Sequence, residues 1–220
     1  MLNRLKTWLQ NHSSKKIDFQ QLTRQKEIFL YAGDVPQDAR YSHYVGLSIS
    51  QSNYRHLRHD IKEPLLLPND CVSRYQSEDV FEHIDPSILP TIINEIYRVL
   101  LPGALFRLSL PDYRCDVLAK RSLKDKDGKI VFDPSGGGDF IEGKVVDGGH
   151  VWFPVYEEVR RILQLSYFSN VNFLHYYDEA GNGVAELIDY SLGYVMRTPD
   201  NDKRVMSPYR PMSIVVDCYK

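Results

Sequence analysis

The chain has little cysteine, no long apolar run and almost no net charge, and each shortage excludes a class of protein. Its three cysteines, Cys71, Cys115 and Cys218, lie far apart without a CxxC pair, which argues against a disulfide framework and a thiolate zinc site. No apolar run approaches the roughly 20 residues of a membrane-spanning helix, and no secretory signal pattern opens the chain. From these shortages we expect a cytoplasmic protein.

Charge and length limit the remaining classes. The formal net charge is −2, from 27 basic and 29 acidic residues, whereas a nucleic-acid-binding protein usually carries a strongly basic face or tail. No nucleic-acid partner is therefore expected. The chain has 220 residues, of which 43% are hydrophobic, and this is enough for one well-buried α/β domain.

An amphipathic pattern occupies residues 1–16, inside an N-terminal helix-and-linker segment that we place at residues 1–26. Its apolar side chains follow helical spacing, and its charges are all basic. In one interpretation the helix packs its apolar stripe on the domain. The alternative is a peripheral contact with an anionic membrane surface or with another protein.

From residue 28 onward, short apolar strands alternate with helical patterns, as in βα units that build a largely parallel sheet. The stretch IFLYAGDVPQDARYSHYVGLSIS, residues 28–50, is interpreted as the first βαβ turn. Two segments, PSILPTIINEIYRVL and VYEEVRRILQLSYF, carry apolar residues at helical spacing. Residues 27–220 are therefore predicted to form a single domain.

The composition changes over residues 120–150, which are rich in Lys, Asp and Gly. We expect an inserted loop or hairpin that acts as a lid over one end of the sheet. The DKDGK motif at residues 125–129 lacks the remaining ligands of a calcium loop and predicts a hairpin turn. The glycines at residues 136–138 lack the context of a phosphate loop. No metal site is predicted from these patterns.

Two segments in the expected order resemble a known family. NEIYRVLLPGALFRLSLPD is similar to the helix, Pro-Gly turn and strand of class I S-adenosylmethionine-dependent methyltransferases. HDIKEPLLLPNDCVSRYQSEDVFEHI resembles the run from the third to the fourth strand of that family, with Phe81-Glu82-His83 in place of a Leu-Glu-His tripeptide. The resemblance is greatest to small bacterial members that are associated with polysaccharide biosynthesis.

The resemblance implies a Rossmann-like, mostly parallel sheet flanked by helices, with a last antiparallel strand. It also implies methyl transfer from S-adenosylmethionine to a small-molecule or glycan acceptor, such as a sugar precursor. The alternative is a catalytically inactive protein of the same fold that serves as a binding or assembly partner.

Candidate cofactor-binding residues follow the strands whose carboxyl ends border the ligand crevice of such a sheet. They are Gly33, Ser48, Asp60, Ile61, Glu78 and Asp79. For Asp60 the competing interpretation is a helix or turn cap, and for Glu78 and Asp79 it is acidic charge at a helix N-terminus.

The first loop departs from the family pattern at two positions. YAGDVPQD contains Gly33 alone where the family has a glycine-rich loop, and Ser48 stands where the family has an acidic residue for the ribose. A hydroxyl forms hydrogen bonds but lacks the two charged acceptors of a carboxylate. Both departures favour the inactive alternative.

Three residues are candidates for the chemistry of methyl transfer to a hydroxyl, which requires removal of a proton. His150 lies in a Gly-flanked loop that can close over the crevice. His83 is a second candidate base, with a structural role beside Glu82 as its alternative. Asp112 follows the fifth strand, where relatives contact the acceptor, and its alternative role is a turn cap.

Overall fold

The structure is a computed structural model that describes residues 16–220. The amphipathic pattern predicted for residues 1–16 lies outside the described residues, apart from Lys16. Within the described range, no helix has both the length and the apolar character that a membrane crossing requires.

Twelve strands and four α-helices form within residues 16–220. The strands are β1 (Phe29–Ala32), β2 (Val45–Ser48), β3 (His56–Arg58), β4 (Val72–Glu78), β5 (Leu100–Pro111), β6 (Leu123–Lys124), β7 (Ile130–Phe132), β8 (Asp139–Ile141), β9 (Lys144–Val146), β10 (Asn170–Tyr177), β11 (Gly183–Ala185) and β12 (Ser213–Tyr219). The helices are α1 (Phe19–Leu22), α2 (Leu89–Val99), α3 (Asp116–Arg121) and α4 (Tyr156–Gln164). Short 3-10 turns cover Ala39–Tyr41, Phe81–His83 and Tyr190–Leu192.

Eight strands form one sheet in the order β3-β2-β1-β4-β5-β12-β10-β11. The five strands from β3 to β5 are parallel to one another, while β12 runs antiparallel to both β5 and β10. The predicted Rossmann-like sheet with a last antiparallel strand is therefore confirmed. Its order changes direction between β1 and β4, which places the ligand crevice of such sheets at the carboxyl ends of these two strands.

The main apolar core lies between one face of the sheet and helices α2 and α4. Alternate residues of the strands point to this face, as the two-residue period of a strand requires, and they include Leu30, Tyr75 and Phe106. Helix α2 presents Ile92, Ile93 and Ile96 to the same core. The helical spacing in the sequence correctly predicted this face of α2.

Irregular chain covers the opposite face, where a parallel sheet usually has helices. Residues 33–44 contribute Val35, Tyr41 and Tyr44 to an aromatic cluster on that face. The sequence predicted a βαβ turn here, and the helix of that prediction is wrong: the segment between β1 and β2 contains a 3-10 turn and no α-helix. Asp38 caps a 3-10 turn by accepting a hydrogen bond from the Arg40 backbone N–H, and the tyrosines bury their rings without an α-helix.

The predicted lid region contains two small antiparallel hairpins, β6-β7 and β8-β9. In the DKDGK turn of the first hairpin, Asp125 Oδ1 accepts hydrogen bonds from the backbone N–H groups of Asp127 and Lys129. The stacked rings of Phe132 and Phe140 join the hairpins at a centroid distance of 5.6 Å. The segment therefore has regular structure of its own beside the sheet.

Candidate active site

Gly33 directly follows β1 and adopts a left-handed conformation with φ of +80°. Its backbone N–H donates to the Leu47 carbonyl at 2.9 Å, which joins the ends of β1 and β2. A Cβ atom at Gly33 would lie 3.2 Å from Val80 Cγ2. The position thus requires glycine for its backbone angle and keeps the start of the first loop open toward the end of β4.

Ser48 ends β2 and is almost completely buried. Its Oγ accepts hydrogen bonds from the backbone N–H groups of Ser50 at 3.2 Å and Gln51 at 2.9 Å. The hydroxyl hydrogen has Ser50 Oγ as its neighbour at 3.4 Å. Ser48 therefore shapes its own loop and retains one weakly used donor.

Asp60 and Ile61 follow β3, and their side chains differ in exposure. Asp60 Oδ1 accepts from the Lys62 backbone N–H at 3.0 Å, and its other oxygen pairs with Lys62 Nζ at 3.2 Å. This is the geometry of the turn-cap alternative. Ile61 is buried in the main core.

Glu78 ends β4 and accepts three hydrogen bonds. Tyr41 Oη and Gln76 Nε2 each donate to Oε1 at 2.7 Å, and the Met196 backbone N–H donates to Oε2 at 3.0 Å. Burial raises the pKa of Glu78 to about 7, although the hydrogen bonds from Tyr41 and Met196 act in the opposite direction. These three hydrogen bonds hold the Glu78 side chain on the face of the sheet that irregular chain covers.

Asp79 lies one residue beyond β4, with φ of +54°. A non-glycine residue in this left-handed region is strained, and such strain is common at functional sites. Oδ2 pairs with Arg197 Nε at 3.1 Å, while Oδ1 is buried without a hydrogen-bond partner among residues 16–220. Burial raises the pKa of Asp79, and Arg197 opposes that shift.

The structure brings His83 and His150 together, although 67 positions separate them in the sequence. Their rings meet edge to face at a centroid distance of 4.7 Å. Two hydrogen bonds hold the His150 loop on the Phe81–His83 turn: the Val151 backbone N–H donates to the Glu82 carbonyl, and Trp152 Nε1 donates to the Phe81 carbonyl, each at 2.9 Å. The loop after β9 is thereby fixed beside the carboxyl end of β4.

Hydrogen-bond partners assign the tautomer of each imidazole. His83 Nδ1 lies 2.7 Å from the Gly148 carbonyl, and a carbonyl only accepts, so Nδ1 carries the proton. His150 Nδ1 contacts the hydroxyl of Tyr113, which donates its own hydrogen to Asp133 Oδ2 at 2.7 Å. The phenol oxygen must then accept from His150 Nδ1–H. Both Nε2 atoms are consequently unprotonated when the rings are neutral.

The surroundings keep His150 neutral and anchor its hydrogen-bond chain. Burial lowers the pKa of His150 to about 4, with a further contribution from His83. Arg121 donates to Asp133 at the far end of the chain, and its charge helps to lower the pKa of that carboxyl against the effect of burial. The chain from Arg121 to His150 therefore orients the imidazole.

Glu82 directly precedes His83 in the sequence and lies close to His150 in space. Its side chain is fully buried, and neither carboxylate oxygen has a hydrogen-bond partner within residues 16–220. His150 Nε2 lies 3.6 Å from Oε1. Burial raises the pKa of Glu82 well above its ordinary value, and the charge of Asp79 adds to that shift.

Asp112 lies apart from the two histidines and is fully buried. Its oxygens accept from the backbone N–H groups of Arg114 at 3.0 Å and Tyr177 at 2.8 Å. Burial raises its pKa to about 6. This is the turn-cap geometry, and it ties the end of β5 to β10.

A cavity of about 800 Å³ lies between the β6-β7 and β8-β9 hairpins and the loop that follows His150. Its walls include Lys129, Lys144, Trp152 and Glu158, together with Tyr113, which also contacts His150. We use "histidine cluster" for Glu82, His83 and His150. The cavity adjoins this cluster and combines apolar walls with charged groups, as small-molecule sites do.

Sequence reasoning missed the roles of Glu82, Tyr113, Asp133 and Arg121. Arg121 and Asp133 lie in the lid region, 12 positions apart, and nothing in their spacing indicates a shared partner in the loop of His150. The adjacent Glu82-His83 pair was the only local signal. The buried, unpartnered state of Glu82 depends on the tertiary fold.

No protein-family model and no curated protein sequence matches the chain. Among solved structures, it is similar to a SAM-dependent methyltransferase from Archaeoglobus fulgidus, with 13% identity, a TM-score of 0.51 and coverage of 99% of this chain and 92% of that chain. It is also similar to a SAM-dependent methyltransferase from Thermotoga maritima, with 13% identity, a TM-score of 0.51 and coverage of 100% and 96%. At this identity, the likeness shows a shared fold.

Proposed function

We propose that the chain transfers a methyl group from S-adenosylmethionine to a small polar acceptor, such as a sugar or glycan precursor. The observation that carries the proposal is the pair of unprotonated imidazole nitrogens at the carboxyl edge of a sheet with the fold of solved methyltransferases. Open α/β sheets bind their ligands at this edge. The acceptor class rests on the sequence resemblance alone.

The residues around the first loop fit a methyl donor in part. Gly33 leaves space toward Val80 that a Cβ would fill, Ser48 has a weakly used hydroxyl hydrogen, and Asp79 has a buried oxygen without a partner. These three would hold the cofactor. Asp60 and Glu78 are engaged by neighbouring groups, which leaves them a smaller part.

S-adenosylmethionine, when bound, supplies the reactive methyl carbon. The chain must hold the acceptor in line and take up the proton of its hydroxyl group. His150 Nε2 is positioned to accept that proton, because Tyr113 and Asp133 fix the other nitrogen as the donor; its lowered pKa keeps the ring neutral and makes it a weak base. The cavity beside Tyr113 provides the space for a small polar acceptor.

Calorimetric titration with S-adenosylmethionine and S-adenosylhomocysteine tests the proposal. We expect both ligands to bind the full chain at one site, and Gly33→Ala to weaken binding at least about tenfold because its methyl group meets Val80. Gly103→Ala is the matched control: its φ of +77° is nearly the same, but no atom lies within 4 Å of the added carbon. It should bind like the wild type.

Absence of binding at millimolar concentrations of both ligands would contradict the methyltransferase proposal. That result would favour the second candidate, a protein of the same fold that acts as a binding or assembly partner. Two observations favour this candidate: Ser48 accepts hydrogen bonds from its own loop, and Glu78 is saturated by Tyr41, Gln76 and Met196.

A further inference from the structure

Three groups that can donate electron pairs converge beside the Phe81–His83 turn. When both imidazoles are neutral, their Nε2 atoms are unprotonated, because their Nδ1 atoms donate to the Gly148 carbonyl and to the Tyr113 phenol. Glu82 contributes a carboxylate. One ligand atom from each of the three residues lies within 4.8 Å of the others.

The carboxylate of Glu82 points to a missing cation. It is fully buried, and neither oxygen has a hydrogen-bond partner in the part of the chain that the structure describes, whereas buried carboxylates are normally paired, hydrogen-bonded or bound to metal. Of the nearby arginines, Arg121 pairs with Asp133, and Arg197 pairs with Asp79 through Nε while its Nη1 is buried without a hydrogen-bond partner within residues 16–220. Glu82 Oε1 lies 3.6 Å from His150 Nε2, which is longer than a hydrogen bond.

The outer contacts are those of a metal site. A metal-bound histidine usually donates its second ring N–H to a carbonyl, carboxylate or similar acceptor, which fixes the ring. His83 has the Gly148 carbonyl in that position. His150 has the Tyr113 phenol, followed by Asp133 and Arg121. Both rings are therefore oriented before any ion binds.

We propose that Glu82, His83 and His150 bind a divalent transition-metal ion, with Zn²⁺ as the test ion. Two imidazoles and one carboxylate suit zinc and its first-row neighbours, whereas Mg²⁺ and Ca²⁺ prefer oxygen ligands. Tetrahedral ligands about 2.1 Å from zinc lie about 3.4 Å apart. The 3.6 Å contact is near this spacing, and the ligand atom of the half-buried His83 lies within 4.8 Å of the other two.

Three protein ligands leave a coordination position open, as in catalytic rather than structural zinc sites. An acceptor hydroxyl coordinated there would lose its proton to solvent water more easily, because the ion would stabilise the resulting alkoxide; His150 would then hold the ion instead of accepting the proton. Metal binding itself does not depend on the proposed methyl transfer. Titrations with metal and with S-adenosylmethionine can therefore fail separately.

The test uses the full chain after treatment with a chelator. Calorimetric titration with Zn²⁺ should give one ion per chain, and Co²⁺ should produce the visible absorption of a nitrogen- and oxygen-ligated site. We expect Glu82→Gln, His83→Gln and His150→Gln each to weaken Zn²⁺ binding at least tenfold and to reduce the cobalt absorption. The matched controls His43→Gln and Glu63→Gln remove an exposed imidazole and an exposed carboxylate, and they should bind like the wild type.

Thermal unfolding separates loss of the site from loss of the fold. Zn²⁺ should raise the Tm of the wild type and of both controls but leave the Tm of Glu82→Gln unchanged. His83→Gln, which changes the half-buried ligand, provides a second variant if a buried one does not fold. The proposal is overturned if the wild type does not bind one ion, or if folded Glu82→Gln and His83→Gln bind Zn²⁺ as tightly as the wild type.

Discussion

Glu78 and Glu82 are buried glutamates four positions apart, but their surroundings are opposite. Glu78 accepts three hydrogen bonds, from Tyr41, Gln76 and the Met196 backbone. Glu82 accepts none from the described residues, 16–220, and lies 3.6 Å from Nε2 of His150. The first carboxylate joins the irregular segments to the sheet, while the second is left available to a ligand.

A buried ion pair between Arg107 and Asp217 is fully partnered in the same way as Glu78. Arg107 is fully buried and donates to both oxygens of Asp217 at 2.7 Å. It also donates to the carbonyls of Asp189 and Gly193. We use "saturated network" for Glu78, Gln76, Tyr41, Arg107 and Asp217, whose buried charges all have partners within the chain.

Buried polar groups of the saturated network have partners within the chain and hold the fold together. Glu82 and its neighbouring histidines are instead available to an external ligand. The saturated network attaches the segments 33–44 and 189–196 to the face of the sheet that lacks helices. The histidine cluster adds little to the fold, because an unpaired buried carboxylate is destabilising. Substitutions in the two regions should therefore change stability in opposite directions.

The largest effect is expected for Arg107→Met. It leaves Asp217 buried without its counter-ion, and breaking a buried pair in this way costs about 3–5 kcal/mol. Urea denaturation measures the loss. Arg40→Met is the control, since its pair with Asp38 is exposed, and it should unfold close to the wild-type midpoint. Equal urea midpoints for Arg107→Met and Arg40→Met would contradict a stabilising role for the buried pair.

Tyr41→Phe tests a single hydrogen bond of the saturated network. It removes the hydroxyl that donates to Glu78 Oε1, and a hydrogen bond to a charged group contributes about 1.5–3 kcal/mol. We expect a loss of that size in denaturant unfolding. Tyr54→Phe removes an exposed hydroxyl and should change nothing measurable. A loss for Tyr54→Phe as large as for Tyr41→Phe would contradict the assignment.

Glu82→Gln should act in the opposite direction in the presence of a chelator. The substitution removes a buried carboxylate that has no partner, so the free energy of unfolding should stay unchanged or rise by about 1–2 kcal/mol. Denaturant unfolding at pH 8 provides the measurement, with Glu63→Gln as the exposed control. A loss above about 1 kcal/mol would mean that Glu82 stabilises the metal-free fold.

The pH dependence of stability sharpens the account of Glu78. Burial raises its pKa from 4.5 to about 7, so between these values the native state retains a proton that the unfolded state has released. Its contribution to stability is full below pH 4.5 and is lost as the pH rises through about 7, by at most about 1.4 kcal/mol per pH unit. The difference between the wild type and Glu78→Gln should therefore shrink from pH 5 to pH 8. A constant or growing difference would contradict the raised pKa.

The spacing of apolar residues and the positions of Pro and Gly were sufficient to predict most of the fold. The spacing of Ile92, Ile93 and Ile96 indicated the buried face of α2. Pro102 and Gly103 indicated the end of that helix, although they lie within the irregular start of β5 and not in a separate turn. The absence of a helix after β1 was not predictable in this way, because Tyr41 and Tyr44 are held by aromatic and hydrogen-bonding partners distant in sequence.

The candidate site was less accessible to sequence reasoning. His150 and His83 were recognised as candidates from their loops, but their contact depends on the loop after β9 reaching the turn after β4. The tautomer of His150 depends on Tyr113 and Asp133, from two further segments. The local sequence does not show which buried carboxylate will have hydrogen-bond donors beside it. The presence or absence of such donors is the difference between Glu78 and Glu82.

Anomalous X-ray diffraction across the zinc absorption edge, from crystals of the Zn²⁺-loaded full chain, tests the central contrast most directly. The account predicts one strong anomalous peak, within bonding distance of a Glu82 oxygen and of Nε2 of both His83 and His150. Absence of a peak at these residues, or occupancy only at other positions, would contradict it.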